Sequence, residues 1–319
     1  MARRSIFVDY LYILTGLVGL FLGGESLVRG SVSIAQQMSI SPLVIGLTVV
    51  GFGTSTPELL VSVQAALRGV PDIAVGNIVG SNIANILLIV GLTALVWPIR
   101  VAAASVRRDV AFMIGSAVLL VPLFALGEIG RAAGLTLVAG LLFYLGWTFA
   151  ASRQDKAEEN GDVAPTSLVV SLLWVAFGLV ALLFGARFLV EGAVSLARGF
   201  GVSEAFIGLT IVAVGTSLPE LATSLVAAFR RQSDIAIGNV IGSNIFNVLG
   251  ILGATALIAP IAVAGRFLTF DLPVMIAVSL VLIGLLLTRP QIGRGAGALM
   301  LLGYAVYVVA ARAPAVSGG

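Results

Sequence analysis

The sequence predicts an all-α membrane protein: ten transmembrane helices arranged as two inverted five-helix repeats. Three observations carry that prediction. The 319 residues are 59% hydrophobic and only 10% charged, whereas soluble domains carry roughly 25% charged residues. Apolar segments of about 20 residues, long enough to cross a bilayer, recur along the whole chain. The second half of the chain also repeats the first at a constant offset.

Taken in order, the apolar segments fall near 6–28, 42–68, 72–97, 109–126, 132–150, 167–190, 204–229, 234–259, 269–288 and 295–312. The first begins MARRSIFVDYLYILTG and has the positive end and apolar run of a signal peptide. Its Gly16 and Gly23 have counterparts at Gly178 and Gly185, which a cleaved leader would lack. Short loops with Arg, Asp, Gly or Pro separate most segments. The polar stretch SRQDKAEENGDVAPT is too short for a folded domain. The expected units are therefore residues 1–151, a cytoplasmic linker at 152–166, and residues 167–319.

The halves align at an offset of 162. GTSTPEL (53–59) lies over GTSLPEL (215–221), and DIAVGNIVGSNIANILLIVG (72–91) over DIAIGNVIGSNIFNVLGILG (234–253). Between Gly53 and Asn85, 20 of 33 positions are identical without a gap. An odd number of spans per copy sends the second copy into the membrane from the opposite side. Inverted repeats of this kind build secondary transporters with a site near the midplane. An outside N-terminus places ten basic residues in the cytoplasm against seven outside, leaving aside Arg187. That is the direction of the positive-inside rule. A cell (inner or plasma) membrane with both termini extracytoplasmic is expected.

Composition restricts the chemistry. With no cysteine and no histidine, thiolate and imidazole sites are excluded. A metal site must use oxygen, which favours hard cations. The net charge of +3 is spread over loops and reads as membrane anchoring rather than nucleic-acid binding.

Depth singles out two acids. Glu58 lies about 11 residues before the turn near Gly69–Pro71, and Ser81 about as far after it. At ~1.5 Å per residue both sit roughly 17 Å deep in a ~30 Å core. Glu220 and Ser243 repeat the arrangement around Arg231. An acid at that depth is costly and marks a function. Pro57 and Pro219 break the helix beside each acid, freeing carbonyls at Gly53 and Gly215. Thr54 and Ser55 share a helix side with Glu58, as Thr216 and Ser217 do with Glu220. Ser81 and Asn85 are four apart around Asn82, and Ser243 and Asn247 around Asn244. Together these groups can supply the six to eight oxygens that Ca²⁺ takes, or be divided among smaller Na⁺ sites. Single hydroxyls in membrane helices more often pack or bond back to the backbone. Arg187 and Glu191 read as a local pair. Asp72, Asp234, Asp109 and Asp271 read as helix caps.

GTSTPE with GNIVGSNIAN, and GTSLPE with GNVIGSNIFN, resemble the two α-repeats of the Ca²⁺/cation antiporter superfamily, nearest its microbial sodium/calcium exchanger branch. The resemblance covers nearly the whole chain. It implies that Glu58 and Glu220 bind Ca²⁺ and Na⁺ alternately. It further implies that Thr54, Ser55, Ser81, Thr216, Ser217 and Ser243 complete Na⁺ sites with the carbonyls of Gly51 and Ala213, and that the first and sixth helices slide across the rest to switch access. One position departs from the pattern: many members carry aspartate where this chain has Asn247. The site then keeps two carboxylates, enough to neutralise one Ca²⁺ or two Na⁺, and a third Na⁺ would add an uncompensated charge.

The expected function is exchange of Na⁺ for Ca²⁺ by a single chain in the lipid bilayer, with no cofactor and no enzymatic activity. H⁺/Ca²⁺ or K⁺-coupled exchange is the near rival, since buried glutamates also carry protons. An intramembrane enzyme using two carboxylates is the remote one.

Overall fold

The computed structural model describes residues 6–152, 167–202 and 213–311. The linker expected at 152–166 and the start of the seventh span expected at 204–229 lie largely outside them. Eleven helices of more than three residues run through the described chain. They are α1 (Ile6–Met38), α2 (Pro42–Thr54), α3 (Thr56–Leu67), α4 (Pro71–Val96), α5 (Ala103–Ala125), α6 (Arg131–Ser152), α7 (Leu168–Gly199), α8 (Leu218–Phe229), α9 (Ser233–Ile258), α10 (Phe267–Thr288) and α11 (Arg294–Ala310). Seven of them are long and apolar enough to cross a membrane, and α2 with α3 adds an eighth if that bent pair is one span.

Burial sorts the helices. In α9, 94% of the apolar window is buried inside the protein, and in α4 78%, against 22% in α1. The two central helices therefore carry the polar motif within protein, while α1 turns leucine and phenylalanine toward lipid. α2 and α8 pack on α9, α3 on α4, and α5 on α10. The last helix of each half packs on the central helix of the other: α11 on α4, and α6 on α9. Glycines permit this closeness. A Cβ on Gly297 would stand 2.7 Å from the Gly91 carbonyl, and one on Gly134 2.8 Å from that of Gly253.

Glycines line the seam along which α1 and α7 lie, four of them at its closest approaches. A Cβ at Gly16 would meet Leu189 N at 2.5 Å, one at Gly23 Leu182 N at 2.7 Å, one at Gly178 Leu27 N at 2.6 Å, and one at Gly185 Leu20 N at 2.7 Å. Here backbone meets backbone, the close approach that small residues allow in membranes. Both helices outrun the expected ends at 28 and 190. With 33 and 32 residues they reach about 50 Å at ~1.5 Å per residue, well beyond a ~30 Å core. The added turns of α1 hold Ser33 and Gln37, whose side chains meet Ser171 of α7.

Two short backbone pairings close the ends of the bundle. β1 (Glu128–Ile129) pairs antiparallel with β2 (Ile261–Ala262), and Ile99 bridges Ile292. Ile99 and Ile261 are again 162 apart.

Four expected caps are corrected. Asp72 and Asp234 lie within the first turns of α4 and α9, but the capping positions belong to Val70 and Gln232. Asp109 is buried inside α5, where it accepts from Tyr144 Oη at 3.1 Å beside Arg108. Asp271 is buried in α10, accepts from Tyr307 Oη at 3.0 Å, and pairs with Arg266 at 3.2 Å. The latter two tie neighbouring helices together instead of ending one.

Candidate cation site

The helix breaks form where the prolines require them. α2 ends at Thr54, Ser55 turns out of helical geometry (φ −82°, ψ 11°), and α3 leaves at 44° to α2. Ser217 takes nearly the same conformation (φ −88°, ψ 8°) before Leu218 and Pro219. Each break sets a serine hydroxyl and a glutamate at the start of a new helix. The carbonyl of Gly53 is not left bare as expected: Thr56 Oγ1 donates to it at 2.9 Å. The second half has Leu218 at that position and lacks this hydroxyl.

The two motifs then serve each other. Ser55 Oγ donates to Glu220 Oε1 at 2.9 Å, and Ser217 Oγ donates to Glu58 Oε1 at 3.3 Å. Thr54 and Thr216 stand one residue before the two serines, at matching positions of the repeat. Asn85 Nδ2 donates to Asn244 Oδ1 at 3.1 Å, and Asn247 Nδ2 donates to Asn82 Oδ1 at 2.9 Å. Asn82 and Asn244 in turn direct amide protons at Met275 Sδ and Met113 Sδ, at 3.5 and 3.6 Å. Every one of these contacts recurs at the offset of 162.

Glu58 and Glu220 are each 1% exposed, as are Asn85 and Asn247. Ser81 and Ser243 are buried at matching positions of α4 and α9. Ser243 Oγ donates to the Gly51 carbonyl at 3.1 Å. A Cβ on Gly51 would come within 2.9 Å of Ser243 N, so glycine there lets α2 reach α9. Ala213 opens a short helical turn, Ala213–Gly215, ahead of the second break. Both asparagines of the Asn85/Asn247 pair stand in π-helical stretches, Asn85–Val90 and Phe246–Leu252. Such bulges concentrate at functional sites.

Among the described residues, four acceptor oxygens of these side chains have no hydrogen-bond partner: Glu58 Oε2, Glu220 Oε2, Asn85 Oδ1 and Asn247 Oδ1. Buried acceptors are ordinarily satisfied. Two carboxylate and two amide oxygens left bare, in symmetric pairs, form a donor set suited to a hard cation.

Two further residues belong here that the sequence reading left out. Asn77 Nδ2 donates to the Glu58 carbonyl at 3.0 Å and to Ser62 Oγ at 2.9 Å. Asn239 Nδ2 donates to the Glu220 carbonyl at 3.1 Å and to Ser224 Oγ at 2.9 Å. Thr54 Oγ1 donates to Asn239 Oδ1 at 3.2 Å. These amides fix the backbone under each glutamate. A signal was present: Asn77, Ser81 and Asn85 fall on one helical face at a spacing of four.

The molecule is thus a helical integral membrane protein with a polar layer buried around its two central helices. The chain belongs to the sodium/calcium exchanger protein family, whose model matches residues 8–150 and 170–312. It is 34% identical to the sodium/calcium exchanger MaX1 of Methanosarcina acetivorans over 95% of this chain and 98% of that one. It is 37% identical to the inner membrane protein YrbG of Escherichia coli, over 93% and 94%. A solved structure of the sodium-calcium exchanger NCX_Mj, soaked with 2.5 mM Na⁺ and 0.1 mM Ca²⁺, superposes with a TM-score of 0.81 at 35% identity, covering 95% of this chain and 98% of that one.

Proposed function

We propose that the protein is a secondary antiporter that exchanges Na⁺ for Ca²⁺ across the membrane by alternating access. The observation that carries this reading is the set of four unpartnered buried acceptors from Glu58, Glu220, Asn85 and Asn247. Relatives named as sodium/calcium exchangers along nearly the full chain support it.

In this reading Glu58 and Glu220 hold either Ca²⁺ or Na⁺. Their two charges balance one Ca²⁺ or two Na⁺, so the loaded site crosses near neutrality and the empty one does not. Thr54, Ser55, Thr216, Ser217, Ser81, Ser243 and the carbonyls of Gly51 and Ala213 divide among the Na⁺ positions. The architecture is two inverted five-helix units, residues 1–151 and 167–319. The bent pair α2–α3 counts as one crossing, and α11 and the span ending with α8 as two more. Both termini are extracytoplasmic, and one chain suffices.

Purified protein in liposomes tests the reading. Radiolabelled Ca²⁺ uptake should follow an outward Na⁺ gradient and vanish in Glu58→Gln and in Glu220→Gln. Uptake that persists unchanged with Na⁺ replaced by choline would refute Na⁺ coupling, and uptake driven by a pH gradient alone would assign the proton instead.

A further inference from the structure

The ion-binding centre does not use the outer face of α5 and α6, and that face is not smooth. A crevice of about 770 Å³ opens there. Its floor is made of absences: a Cβ on Gly115 would meet nothing within 4 Å, and one on Gly140 only Leu249, at 3.8 Å. Aromatic rings form the sides, with Phe143 64% and Trp147 44% exposed. At one end stand Arg107 and Arg108. Among the described residues Arg108 contacts Asp109 alone, through long bonds of 3.4–3.5 Å. Arg107 is exposed and has no ion pair or hydrogen bond among the described residues.

Dimensions select the occupant. From Arg107 to Leu119 the crevice follows twelve residues of α5, about 18 Å at ~1.5 Å per residue. One leaflet of a ~30 Å core is ~15 Å deep. The volume of about 770 Å³ is spread along that length, so the crevice is a long open groove rather than a compact cup, the shape an extended acyl chain follows. The arginines and Trp147 lie near the start of α5 and the end of α6, so they share one end of the bundle, the level at which such residues meet lipid headgroups. The duplication does not impose the feature: at an offset of 162, Arg107, Arg108 and Gly115 are replaced by Thr269, Phe270 and Ala277.

We propose that this crevice binds one anionic phospholipid, its phosphate at Arg107 and Arg108 and an acyl chain lying over Gly115 and Gly140. The site is independent of the transport reading, because it shares no residue with the cation site.

Native mass spectrometry of the whole protein, equilibrated in neutral detergent with equimolar phosphatidylglycerol and phosphatidylcholine, tests it. Wild type should retain one phosphatidylglycerol with a preference of about five-fold or more, the scale of one arginine at a charged lipid surface. Arg107→Gln should abolish the headgroup preference. Gly115→Leu and, from the opposite wall, Gly140→Leu should expel both lipids with the lipid-free melting temperature unchanged. Equal retention of the two lipids by wild type, or phosphatidylglycerol retained by both filled variants, overturns the proposal.

Discussion

Asn247 donates through its amide to Asn82 Oδ1 while its own oxygen stays bare. An aspartate there cannot donate. Asn247→Asp therefore sets two acceptors against each other and adds a third negative charge. Without ions the variant should lose about 1–3 kcal/mol of stability, the cost of a buried group left unsatisfied. Saturating Ca²⁺ or Na⁺ should restore more stability to it than to wild type. Thermal unfolding with and without ions reads both effects; a melting temperature equal to wild type in ion-free buffer would contradict the role given to this amide. Glu58, Glu220 and their serines could be read from the sequence because duplication placed the same costly acid at the same depth twice. Asn77 and Asn239 could be seen as well, in the GN of each motif, but an asparagine beside a glycine looks like helix packing. Only the fold shows it holding the backbone of a glutamate from another helix.

Helix ends and breaks were legible in unequal measure. Pro57 and Pro219 marked the breaks because a missing N–H and a ring clash act locally. The lengths of α1 and α7 were hidden: hydropathy fades at Arg29, Gln36 and Gln37, while the helix itself continues on contacts with α7. The π-helical stretches at Asn85 and Asn247 leave no trace in an apolar pattern that suits an α-helix equally well. The glycines of α1 and α7 were visible as repeat positions, but their contact was not. Gly178→Leu places a side chain where a Cβ already lies 2.6 Å from Leu27 N. Overpacking of this kind costs roughly 1–3 kcal/mol, and the two helices must separate. The variant should keep Ca²⁺ binding by isothermal titration, since α4 and α9 are untouched, yet lose flux in liposomes. Flux at the wild-type rate would show that the close pairing of α1 with α7 is not needed for switching.

For the whole molecule, the proposed ten crossings require both termini on one side. The chain has no cysteine, so Ala2→Cys and Ser317→Cys can each be added to an otherwise silent background. A membrane-impermeant maleimide should label both from outside intact cells; labelling of one terminus alone would break the inverted-repeat architecture. The duplication made that architecture readable from an offset of 162. It could not reveal that the halves exchange partners, with Ser55 serving Glu220, Ser217 serving Glu58, and α11 and α6 each braced against the other half's central helix.

The α1–α7 crossing also bears on the kinetics of a conformational change. Interlocked side chains give helix surfaces a corrugation, and axial travel then proceeds in jumps from one groove to the next. At the α1–α7 crossing glycines seat backbone against backbone instead. The two helices would then travel across the rest of the bundle as one strut, so that switching follows a single coordinate rather than two.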